Sequence, residues 1–130
     1  MKVVFIFSLV ISISLANSIE EIKELKAAYK ECGGEFEGPN SVKAQVLKEN
    51  VDKVKLGETI FCINKKIGLQ NDNGNIDEQI FRKSLQFKLS DESLINKVAK
   101  ECSKREGDTN EVIAFNFLKC YQFMIKNNLN

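Results

Sequence analysis

The sequence predicts an all-α protein: a single compact domain of about six helices held by two disulfides, to which the resemblance named below adds an enclosed apolar cavity. Three observations carry that expectation. Apolar residues recur at helical spacing from Ile19 onward, no stretch of useful length alternates as a strand does, and four cysteines follow a segment with the form of a secretory leader.

The leader is "MKVVFIFSLVISISLANS", in which Lys2 precedes an apolar run from Val3 to Leu15 and then small residues. About 13 apolar or hydroxyl residues fall short of the roughly 20 that a membrane-spanning helix needs. Ser14 and Ala16 supply small-x-small cleavage chemistry, so residues 1–16 read as a signal peptide and residues 17–130 as the mature domain, with Ser18 as the fallback cleavage point. A first helix then carries Ile22, Leu25, Tyr29 and Cys32 on one face and ends at Gly33 and Gly34. "EFEGPN" breaks the chain, and Ser41 caps a short second helix with Val42, Val46 and Leu47.

A third helix starts near Asp52 and runs toward Ile67, with Val54, Ile60, Phe61, Asn64 and Ile67 as inward candidates and Gly68 as its stop. "QNDNGN" is a polar turn. Its surroundings resemble a calcium loop only in Gly74 and Ile76, because Leu69 and Ile80 occupy the positions where acidic ligands belong. Asp77 opens a fourth helix with Ile80, Phe81, Ser84 and Leu85 facing inward. "SDES", with Ser90 three residues before Ser93 as a partial capping box, opens the fifth, which presents Leu94, Ile95, Val98, Ala99 and Cys102. The sixth, "NEVIAFNFLKCYQFMIK", is apolar nearly all round, so it belongs in the middle of the bundle, and its most regular stripe is Ile113, Phe117, Cys120, Tyr121 and Met124.

Composition removes several function classes. Without Lys2 the chain has 18 basic and 18 acidic side chains, and this balance argues against nucleic acid and against electrostatic membrane anchoring. Lys23, Lys26 and Lys30 on the first helix are offset by Glu20, Glu21, Glu24 and Glu31, which fits a solvated face and not stable membrane insertion. There is no histidine. Ser-His-Asp and Cys-His nucleophile systems, His-ligated metal and the usual pH switch are therefore missing, so no catalytic residue, metal or cofactor is expected.

The cysteine spacing is similar to that of insect odorant-binding proteins, which carry six. Cys32 fits the first place, at the end of the first helix, and Cys62, followed by "INKKIGL" and an Asn-Gly-x-Ile-Asp turn, fits the third. Cys102, 40 positions on, fits the fourth, and Cys120 in "FNFLKCYQ" fits the sixth. Counting back four from Cys62 reaches Glu58, and counting back nine from Cys120 reaches Glu111. Both absent cysteines are partners of one bridge, so the chain resembles the four-cysteine, or minus-C, members of the pheromone and general odorant-binding family over its whole mature length.

The resemblance implies the pairings Cys32 with Cys62 and Cys102 with Cys120, and a softer contact between the third and sixth helices where the third bridge is lost. It also implies a secreted, non-enzymatic carrier for small apolar molecules such as odorants or pheromones, monomeric or weakly dimeric, with a chemosensory receptor as a further partner. Helical spacing selects Leu25, Tyr29, Ile60, Phe61, Asn64, Phe81, Leu85, Leu94, Val98, Phe117, Tyr121 and Met124 as ligand-binding wall residues, with Tyr29, Asn64 and Tyr121 as polar anchors. Glu58 and Glu111, if they faced each other, would form an acid-sensitive pair; the plainer expectation is two glutamates in solvent. With "KNNLN" ending the sequence ten residues after Cys120, no C-terminal segment is expected to enter the pocket. The competing reading is a secreted interaction protein with a closed core.

Overall fold

The computed structural model describes residues 20–129, so the predicted signal peptide lies outside the described residues. Within them the chain forms six helices: α1 (residues 20–31), α2 (Val42–Gln45), α3 (Lys53–Lys66), α4 (Glu78–Gln86), α5 (Glu92–Cys102) and α6 (Asn110–Leu129). Among these residues there is no strand, only one isolated antiparallel bridge between Gln70 and Ile76.

The helix starts follow from side-chain capping. Ser41 accepts from the Ala44 amide, Asp52 from Val54 and Lys55, and Asp77 from Ile80, each capturing a donor that the first turn cannot satisfy internally. At α5 the cap is Asp91, which accepts from Ser93 and Leu94, and not Ser90. The Asp91 carboxylate, two residues before Ser93, accepts from both orphan amides through one oxygen. α1 ends where Gly33 takes φ +79 and the Gly34 amide returns to the Tyr29 carbonyl at 2.9 Å, a reversal that a side chain at residue 33 would strain.

α6 is the central element, and α3 packs on it most extensively. Leu56, Gly57, Ile60, Ile63 and Asn64 form the buried face of α3. Val54, expected to face inward, is 53% exposed, because two residues before Leu56 places it about 200° around the helix. Ile22 is likewise 50% exposed, leaving Ala28 and Tyr29 as the buried residues of α1. Ser84 on α4 is also exposed, with its hydroxyl donating back to the Ile80 carbonyl at 3.1 Å, while Phe81 and Leu85 carry the burial. On α6 burial extends beyond the predicted stripe to Ala114, Phe115 and Leu118.

Two disulfides close the frame, Cys32–Cys62 between the end of α1 and α3, and Cys102–Cys120 between α5 and α6. These are the implied pairings. With partners 30 and 18 positions apart, each restricts the unfolded chain by about 3 to 4 kcal/mol in the loop-entropy picture. Where the family's third bridge would stand, Gly57 lies so close to α6 that a methyl group there would come within 2.8 Å of the carbonyl carbon of Glu111 and 3.2 Å of its Cβ. Close backbone approach replaces the covalent tie. Glu58 itself is exposed and Glu111 partly so.

Candidate ligand-binding site

The apolar core divides into two clusters. One joins Ala28 and Tyr29 of α1, Val42 and Val46 of the α2 region, Leu56, Ile60 and Ile63 of α3, and Ala114, Phe115 and Leu118 of α6. The other joins Leu69, Phe81, Leu85 and Leu89 with Ile95, Val98, Ala99, Cys102 and Phe117. Only Ile67 and Tyr121 pack against both, and both are partly buried. The seam between the clusters therefore runs through these two side chains.

Aromatic rings concentrate at that seam. Phe81, Phe117 and Tyr121 contact one another with centroids 4.6 to 5.3 Å apart at tilted or edge-on angles. Tyr29 meets Phe36 edge-on at 5.1 Å. Burial pushes the Tyr29 phenol up to about 12. Tyr121 rises further above its ordinary range, first through burial and then through the neighbouring Tyr29, with a hydrogen bond to Gln122 opposing the rise. Tyr121 nonetheless keeps accessible surface.

Most predicted wall residues lie in one cluster or the other. Tyr29 and Ile60 are buried in the first, with Leu25 and Phe61 partly buried against it; Phe81, Leu85, Val98 and Phe117 are buried in the second, with Leu94 and Met124 partly buried against it. Asn64 has a different task. Its amide donates to the Gln70 side chain at 3.1 Å, its carbonyl accepts from the Leu69 and Gln70 amides, and Gln70 in turn donates to the Gly74 and Asn110 carbonyls. That buried network fastens the turn after α3 to the start of α6, so the Asn64 donor is already used within the protein. The same turn is held by Asn71, which accepts from the Asn73 and Asn75 amides, and by Arg105, which donates to the Asn73 carbonyl at 2.6 Å. These bonds account for its polar residues without an ion.

Sequence reasoning passed over Phe36, Lys43 and Lys88. The Lys43 and Lys26 ammonium groups lie 5.1 and 5.6 Å from the centre of the Phe36 ring, and that of Lys88 lies 5.8 Å from the centre of Tyr121. Lys88 is exposed, and the charge of Lys43 acts on it. Partial desolvation, and then the charge of Lys43, lower the Lys88 ammonium to about 7. Phe36 sits in an irregular loop, where no periodicity marks it, and the lysines are 45 positions apart. A separate cleft of about 630 Å³ between Gly34, Lys48, Asp52 and Thr59 is open to solvent and lined largely by polar and charged side chains, which suits an apolar guest poorly.

The PBP/GOBP family model matches residues 16–123, which covers α1 to α5, most of α6 and all four cysteines. The chain belongs to this family of insect pheromone- and odorant-binding proteins. Its two disulfides make it a four-cysteine member. No curated protein and no solved structure matches it significantly. The family is one of carriers for small hydrophobic molecules and not of enzymes. Among the described residues, no helix is long and apolar enough to cross a membrane.

Proposed function

We propose that this PBP/GOBP protein is a secreted carrier that reversibly takes up odorants, pheromones or similar small apolar molecules at the seam between its two core clusters. The supporting observation is Tyr121, whose ring joins both clusters and keeps accessible surface although its phenol is buried enough to resist ionisation. Phe81, Phe117 and Tyr29 form the rest of the aromatic lining, with Leu25, Ile60, Phe61, Leu85, Leu94, Val98 and Met124 behind or beside them. The phenols of Tyr29 and Tyr121 are the polar anchors.

Affinity comes from apolar area leaving water. The gain is ~25 cal/mol per Å² of apolar surface removed from water, before the cost of ordering the ligand, and micromolar dissociation constants are the expected range. The test is titration of the oxidised, processed protein with N-phenyl-1-naphthylamine, followed by displacement with volatile alcohols, esters, aromatics and fatty acids. The chain has no tryptophan, so its own emission interferes little. Saturable one-site binding with displacement is expected. A folded protein that binds none of these would instead be a closed-core interaction protein acting through its surface.

A further inference from the structure

We infer that Met124 is a site of reversible oxidation whose sulfoxide uncovers the Cys102–Cys120 bridge to reduction. The inference does not depend on the carrier reading. Its basis is the position of one thioether. Met124 Sδ lies 3.6 Å from Cys102 Sγ, and because Cys102 is bridged to Cys120, this is a contact between two sulfurs with no proton to share. Met124 follows Cys120 by four residues on α6, one turn along the same face, so its side chain leans back over the bridge that ties α6 to α5. It is partly buried there against the second core cluster, while Cys102 beneath it is 2% exposed.

Competing targets for a mild oxidant are scarce. The sequence has two methionines and no tryptophan or histidine, Met1 stands in the leader, and all four cysteines are in disulfides. Hydrogen peroxide transfers one oxygen to Met124 Sδ: the S–O bond forms as the O–O bond breaks, and the thioether is oxidised by two electrons. The second peroxide oxygen leaves as hydroxide and takes the proton of the first, so the by-product is water. The sulfoxide oxygen is a strong acceptor, and neither the disulfide nor the apolar cluster offers it a donor, so water satisfies it and the side chain turns outward. Cys102 Sγ then loses its cover, and a thiolate gains the approach it needs for exchange. Cys32–Cys62 provides the internal comparison, since both its cysteines are partly exposed and the one described methionine lies on the other bridge.

The experiment treats the processed, disulfide-bonded protein with hydrogen peroxide and locates the added oxygen by peptide mass mapping. Reduction of each bridge by dithiothreitol is then followed by alkylation and mapping, and unfolding by far-UV circular dichroism. The variants are Met124→Leu, which keeps the volume of the side chain, and Met124→Gln, which imitates the polarity of the sulfoxide. Peroxide should place one oxygen on Met124, speed reduction of Cys102–Cys120 by about fivefold, and leave Cys32–Cys62 within about twofold of its starting rate. Tm should fall by about 5 °C, and methionine sulfoxide reductase should restore both properties. Peroxide should change neither property in Met124→Leu, and Met124→Gln should show fast reduction without peroxide.

Folded protein that takes up no oxygen at Met124, under peroxide that fully oxidises free N-acetylmethionine, overturns the proposal. So does a sulfoxide that leaves the reduction rate of Cys102–Cys120 unchanged, or an acceleration that persists in Met124→Leu. Equal acceleration of both bridges would show general loosening and refute a local cover. Should either variant fail to fold, the unaltered protein before and after peroxide still decides, because its own second bridge is the control.

Discussion

Replacing Gly57 with alanine sets two effects of opposite sign against each other. Alanine in the interior of a helix is ordinarily favoured over glycine by about 1 kcal/mol. Here the added methyl would lie 2.8 Å from the carbonyl carbon of Glu111 and 3.2 Å from its Cβ, against a comfortable carbon–carbon separation of about 3.5 to 4.0 Å. Neither atom is the end of a flexible side chain, so α3 must withdraw from α6 by roughly half to one ångström. That gap spreads along the broadest packed pair among α2 to α6 and loosens Leu56 and Ile60 against Ala114 and Phe115. Overpacking of this kind costs about 1 to 3 kcal/mol, with backbone obstructions toward the upper end. Net of propensity, the variant should lose about 1 to 2 kcal/mol, which lowers Tm by roughly 4–10 °C in a domain of this size. The assay is thermal unfolding of the oxidised protein followed at 222 nm, with Glu58→Ala, an exposed neighbour, expected within about 0.5 kcal/mol of the parent. If Gly57→Ala matches or exceeds the parent in Tm, the close approach of α3 to α6 is not the feature that holds them together.

The two tyrosines are the only ones in the chain, so absorbance at 295 nm during alkaline titration reports both. Neither should ionise near pH 10 while the fold persists, and because a folded phenol raised above its unfolded value loses its contribution as pH climbs, stability should decline from about pH 10 toward 12. A reversible native transition centred near 10 would place at least one ring in solvent. Glu58→Cys with Glu111→Cys should oxidise to the family's third bridge and add about 2 to 4 kcal/mol, checked by thiol titration and denaturation; two persistent free thiols would count against the alignment of these positions.

Much of the frame was legible because its signals are local. Asp52 and Asp77 announce their helices through the carboxylate they offer to the first turn, and Gly33 ends α1 through a backbone conformation that glycine reaches without strain. Tyr29 and Phe81 were legible as inward residues from spacing alone. The misses have equally physical causes. α6 is apolar on nearly every face, so periodicity had no contrast with which to single out Ala114 and Phe115. Val54 was misplaced because a helical stripe read without Gly57 has the wrong phase. Only the structure shows that a residue with no side chain marks the tightest contact. Lys43 and Lys88 each look like ordinary solvated lysines, and nothing short of the fold brings them together.

Tethers and charges are distributed unequally in a way that connects stability to binding. The disulfides hold α1 to α3 and α5 to α6, and the approach at Gly57 holds α3 to α6, so these four helices form one continuous restrained frame. α2 and α4 carry no cysteine and are kept in place by packing, through Val42 and Val46 on one side and Phe81 and Leu85 on the other. Lys43 belongs to the first of these elements and Lys88 follows the second. Their repulsion therefore acts between the two parts of the molecule with the least covalent restraint, where it works to hold them apart. On the carrier reading, a guest at the seam therefore meets two elements, α2 and α4, that can shift without breaking a covalent tie or disturbing the frame.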